Sequence, residues 1–70
     1  MNLKQMEYFV AVAEQLNFTR AARQCFVSQT AMTLQIQSLE EKVGVPLFVR
    51  DKHHVELTAA GKVYLKEARA

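Results

Sequence analysis

The sequence predicts a mainly α domain with a three-helix core, a short β-hairpin and a further helix. Three observations predict it. Before Pro46, apolar or small residues recur at helical spacing in three separate segments. Residues that cap helices stand in front of each of them: Asn2, then Asn17 or Thr19, then Ser28. After Pro46 the period changes to two short runs rich in β-branched and aromatic residues, and Thr58 opens a last helical stretch.

The first helix is expected over residues 2 to 16. Leu3, Met6, Val10 and Ala13 share a stripe, with Phe9 beside it. Asn2 is the expected N-cap, and Gln5 stands three residues later in capping-box position. The second helix is short, over residues 17 to 26, and either Asn17 or Thr19 caps it. Ala21, Ala22 and Cys25 give it a small-residue face that lets another helix approach.

The third helix is the best marked. Ser28 is its N-cap, and Val27 and Met32 occupy the two positions of a hydrophobic staple. Gly44 suits a left-handed C-terminal position, and Pro46 blocks continuation. At about 100° per residue, Met32, Ile36, Leu39 and Val43 fall on one narrow apolar arc. Gln29, Thr30, Thr33, Leu34 and Gln37 fill the adjoining arc.

Leu47 to Arg50 and His54 to Leu57 read as the two strands of a hairpin, joined by the polar Asp51-Lys52-His53. His54 begins a strand and is assigned no function. Residues 1–57 therefore form the expected core domain. Residues 58–70 begin a longer helix that is expected to continue past the last residue.

Seventy residues make one small domain with a thin core. Half of them are hydrophobic, which excludes a disordered tail. No apolar run approaches the roughly 18 to 20 residues of a membrane span, and no export signal is evident. A cytoplasmic location is expected, and the lone Cys25 fits a reducing compartment. Cys25 reads as a buried small hydrophobe, with a redox sensor as the lesser alternative. Cys25, His53 and His54 are too few and too badly spaced for structural zinc.

The formal net charge is only +2, but its distribution is informative. No acid lies between Gln15 and Leu39, where Arg20 and Arg23 stand. A phosphate backbone approaching that stretch meets little local repulsion. Two helices joined by a tight turn and followed by a hairpin describe a winged helix-turn-helix, whose second motif helix enters the major groove.

The run F-T-R-A-A-R-Q-C-F-V-S-Q-T-A-M-T-L-Q-I-Q-S-L-E-E-K-V-G-V-P-L-F-V-R, followed by L-T-A-A-G, resembles the N-terminal domain of LysR-type transcriptional regulators. The likeness extends from Leu3 to about Leu65. It implies a bacterial regulator whose N-terminal domain binds interrupted palindromes in double-stranded DNA. It also implies a homodimer built through the linker helix, with a tetramer in the full-length protein. A C-terminal domain beyond this chain would take a small-molecule inducer, and this domain itself would need no cofactor. Thr30 stands where many such proteins have Pro, and Leu34 where Arg or His is frequent. Leu34 can pack on a thymine methyl but cannot bind guanine or phosphate.

Candidate roles follow. Gln29, Thr30, Thr33, Leu34 and Gln37 are the expected base readers: Gln can contact adenine twice, and Thr offers a hydroxyl and a methyl. Arg20, Arg23, Arg50, Lys52 and His53 are expected at phosphate or in the wing, with Arg50 and Lys52 flanking the wing tip. Ser28 and Thr19 are each expected to cap a helix and touch phosphate. Val63, Tyr64, Leu65 and Ala68 are assigned to packing and dimerisation. The competing reading is a small helical protein-interaction module. An enzyme ranks third, since the sequence has no glycine-rich phosphate loop and no nucleophile beside a base.

Overall fold

The structure is a computed structural model and describes residues 2–70. Its elements run α1 (Leu3–Gln15), α2 (Phe18–Gln24), α3 (Gln29–Val43), β1 (Phe48–Arg50), β2 (Val55–Leu57) and α4 (Ala59–Arg69). The two strands pair antiparallel, with Phe48 opposite Leu57 and Arg50 opposite Val55. Each strand is one residue shorter than expected. Leu47 is fully buried in the core, and His54 precedes the second strand with its Nε2 3.2 Å from Glu56 Oε1.

Every helix begins on a capping side chain. Asn2 Oδ1 accepts from the Gln5 N–H, Asn17 Oδ1 from Arg20, Ser28 Oγ from Ala31 and Thr58 Oγ1 from Gly61, at 2.8 to 3.0 Å. These bonds satisfy helix-end donors that would otherwise be left free. The choice at α2 thus falls on Asn17, and Thr19 is not a cap. The capping box at α1 is half formed, because Gln5 turns its side chain away. Its Nε2 faces Gln35 Oε1 and Ser38 Oγ, and its Oε1 faces Lys42 Nζ, at 3.4 to 3.5 Å. Gln5 is buried, and its contacts tie α1 to α3.

The buried face of α1 differs from the expected stripe. Gln5, Tyr8, Phe9 and Val12 point into the core, while Leu3 is 76% exposed and Met6 and Val10 are half-buried. The apolar arc of this helix is broad enough for two stripes, and helical periodicity alone does not choose between them. Leu3, Met6 and Val10 instead line a surface groove with Cys25, Phe26 and Val27. Cys25 is accordingly half-buried, not buried as expected. Burial, then the nearby Glu7 carboxylate, raises its thiol pKa, a shift away from the reactive thiolate.

The turn between α2 and α3 is a helix-ending motif with two reaching bonds, Val27 N–H to Ala22 O at 3.0 Å and Phe26 N–H to Arg23 O at 3.2 Å. Phe26 takes the left-handed position at φ 58°, where glycine is usual, and is 95% exposed. Helix α2 therefore ends two residues before the expected limit. Helix α3 matches expectation closely: Met32, Ile36 and Leu39 are fully buried, Val43 packs at the core's edge, and Gly44 closes the helix at φ 88°.

The core is threaded by an aromatic row. Tyr64 meets Phe9 at 5.9 Å, Phe9 meets Phe48 at 5.4 Å, and Phe48 meets Phe18 at 6.0 Å between ring centroids. This row joins α4, α1, β1 and α2 across the domain. Helix α4 is fastened at its start as well. The Thr58 hydroxyl donates to Pro46 O at 2.8 Å, and its N–H donates to Leu47 O at 3.0 Å. Gly61 lies so close to the Leu47 carbonyl that a Cβ there would stand 2.1 Å from its oxygen.

Candidate nucleic-acid interface

Burial of Met32, Ile36 and Leu39 fixes the rotation of α3, and this rotation decides which side chains face outward. Gln29, Thr30, Leu34 and Gln37 are exposed and Thr33 is half-exposed. The face is not uniform along its length. Gln29, Thr30, Thr33 and Leu34 adjoin one another at the N-terminal end, with Leu34 60% exposed among them. Gln37 lies further along, in a depression shared with Glu40 and Glu41. An approaching phosphate would be repelled at that end and not at the other.

The wing stands beside the N-terminal end of α3. Thr19, Gln29 and Thr33 on one side, and Arg50, Asp51, Lys52 and His53 on the other, line a single cleft. The loop at the wing tip is shaped internally. The Asp51 N–H donates to His54 O, and Asp51 Oδ1 accepts from the His53 N–H, each at 3.0 Å. The one carboxylate of the cleft is thereby engaged by its own turn, and Lys52 and His53 are left exposed.

Arg50 departs from expectation. It closes β1, but its guanidinium lies 4.5 Å from the Phe18 ring centroid and 3.6 Å from Glu40 Oε1. Its side chain is only 26% exposed. Arg50 is thus packed against the domain behind the wing tip, and Lys52 is the free cation of the pair among the described residues.

Glu40 is the residue that sequence reasoning missed. Its Oε2 accepts from the Leu47 N–H at 2.7 Å and the Phe48 N–H at 3.2 Å, while Oε1 faces Arg50. One side chain of α3 therefore holds the start of β1 and its last residue. The signal was present in the spacing of Glu40, Gly44, Leu47, Phe48 and Arg50, but nothing local says which backbone donors a surface glutamate will reach.

Thr19, expected to cap α2 and also touch phosphate, does not cap it; its hydroxyl donates to Gln29 Oε1 at 2.9 Å, linking α2 to the first residue of α3. Ser28 caps α3 and remains exposed. Arg20 and Arg23 are exposed on α2 and lie outside the cleft. The residues assigned to dimerisation divide. Tyr64 is spent on Phe9 in the core, Ala68 borders the α1 groove, Leu65 is partly buried, and Val63 is 62% exposed.

Comparison with known proteins places this geometry. The family model described as bacterial regulatory helix-turn-helix protein, lysR family, matches residues 3–62. The chain is 56% identical over 70 residues to the Hca operon transcriptional activator HcaR of Escherichia coli (strain K12), covering all of this chain and 24% of that protein. It is 53% identical over 68 residues to a probable cat1 operon transcriptional activator of Acinetobacter lwoffii, covering 97% of this chain and 22% of that protein. The chain thus spans about a quarter of the length of these curated relatives. Among solved structures, the CbnR DBD–DNA complex superposes with a TM-score of 0.94 at 46% identity, over 99% of this chain and 79% of that one. With the model matching most of its length and the fold agreeing throughout, the chain belongs to the lysR family of bacterial regulatory helix-turn-helix proteins.

Proposed function

We propose that this chain is the sequence-specific DNA-binding domain of a transcription regulator acting on double-stranded operator DNA in the cytoplasm. Helix α3 enters the major groove with its N-terminal half against the bases, and the wing lies along the backbone or in the adjacent minor groove. The observation that carries this reading is the cleft in which the uncharged reading face of α3 meets the exposed Lys52 and His53. Gln29, Thr30 and Thr33 supply donors and acceptors for base edges, and Leu34 supplies an apolar contact for a thymine methyl. Gln37 reads at the far end, where Glu41 limits how closely phosphate can approach. Ser28, Arg20, Arg23 and Lys52 contact phosphate. Arg50 supports the wing from behind and contributes less to phosphate than its sequence position implied.

Two copies bind the two halves of an interrupted palindrome, joined through α4. The exposed Val63, with Leu65 and Ala68, supplies the apolar part of that contact. A tetramer, and a small-molecule inducer, belong to the longer protein that the relatives' length implies.

Binding titrations at two salt concentrations, on a duplex selected from a random pool, test the reading. Affinity should fall steeply with salt, and Lys52→Ala should lower the slope by about 0.9. Arg50→Ala should change the slope less. An affinity independent of salt, with no half-site emerging from the pool, would instead favour a protein-interaction module.

A further inference from the structure

Thr19 lies on α2, outside the arc of α3 that faces the groove, and it does not cap its own helix. Its hydroxyl donates to Gln29 Oε1 at 2.9 Å, and the contact bridges the two helices of the motif between exposed side chains. Gln29 is the first residue of α3 and has the freedom of a long side chain in water, which is costly to order on binding. A carboxamide is also two-faced: rotating its terminal bond by half a turn exchanges the acceptor for the donor. A reader in that state offers either group to a base edge and discriminates poorly. In the arrangement present here the Thr19 hydroxyl donates to Oε1, which holds the carboxamide against α2 and leaves the Nε2 donors outward.

From this geometry we infer that Thr19 is a specificity-determining positioning residue. It presets the orientation of the Gln29 carboxamide before DNA arrives, so that base discrimination at the position read by Gln29 depends on a hydroxyl that touches no base. This rests on the reading of Gln29 as a base contact proposed above. The second lone pair of Oε1 remains available, so Gln29 can still accept from adenine N6 while Nε2 donates to N7. Neither atom has to be reoriented at the moment of binding, and the ordering cost is met in the free protein.

A double-mutant cycle tests this. Thr19→Val keeps the shape and the branching but removes the donor; Thr19→Ser keeps the donor. Relative affinities for the four base pairs at each half-site position are measured for the wild type, Thr19→Val, Thr19→Ser, Gln29→Ala and the Thr19→Val/Gln29→Ala pair, each at two salt concentrations. Discrimination at one position should fall about threefold to tenfold in Thr19→Val. It should return in Thr19→Ser, and Thr19→Val should add nothing in the Gln29→Ala background. The salt slope should stay constant throughout. A uniform loss of affinity in Thr19→Val, equal for all base pairs at every position, would make Thr19 a phosphate contact and overturn the inference. Unaltered discrimination in Thr19→Val, while Gln29→Ala flattens one position, would also overturn it. If Gln29→Ala itself changes no preference, the base-reading role of Gln29 fails and the inference falls with it.

Discussion

At the scale of single residues, the close approach of α4 to the strand entry depends on one missing methyl. A Cβ at Gly61 would stand 2.1 Å from the Leu47 carbonyl oxygen and 2.9 Å from Leu57. The first of these is backbone and cannot rotate aside. Gly61→Ala should therefore destabilise the domain by about 1–3 kcal/mol, the usual cost of overpacking a tight contact. Urea denaturation would report it as a lower midpoint at unchanged slope, and a midpoint equal to that of wild type would mean that α4 can shift freely. The Leu-Thr-Ala-Ala-Gly motif marked this position in the sequence, but the reason for its glycine was not readable there, where the run is simply the first turn of a helix. Contact between elements distant in sequence leaves no local pattern. Much the same holds for Gln5: its position three residues after Asn2 predicted a capping box, yet burial against α3 offered its amide better partners.

Whole elements were more legible. All four helices, their caps at Asn2, Ser28 and Thr58, and the stop at Gly44 were evident from residue chemistry and spacing. The buried face of α3 was also evident, because one narrow arc holds nearly all its apolar residues. The buried face of α1 was not, because apolar residues surround much of that helix and only its neighbours decide which are covered. The wing was legible as an element but not as an attached one. Its attachment is Glu40, whose carboxylate receives two backbone N–H groups and faces Arg50. Removing it leaves those donors short of a partner in a partly buried setting, at about 1–3 kcal/mol. Glu40→Ala should lower stability by that amount, and Glu40→Gln, which keeps one acceptor oxygen, by less. Amide hydrogen exchange at Leu47 and Phe48 should accelerate in Glu40→Ala, whereas unchanged protection there would show that strand pairing alone holds the wing.

At the scale of the molecule, the domain measures 26 × 24 × 20 Å and its core is correspondingly thin. The aromatic row from Tyr64 through Phe9 and Phe48 to Phe18 makes α4 part of that core, so the helix proposed to join two copies is also a wall of each. Self-association through α4 should then be sensitive to Val63, which is exposed, and not to Tyr64 except through folding. Sedimentation over a concentration series should show mass rising for wild type and remaining at 8.0 kDa for Val63→Glu. Equal behaviour of the two proteins would move the self-association surface elsewhere. The Glu40 clamp has a last consequence, which concerns the DNA and not the protein. One carboxylate ties the strand entry and Arg50 to α3, so the spacing between the wing and the helix proposed to read the bases is set within the protein. A duplex whose grooves do not match that spacing must itself twist or bend to fit. Operators would then be ranked in part by the stiffness of base steps that no side chain touches.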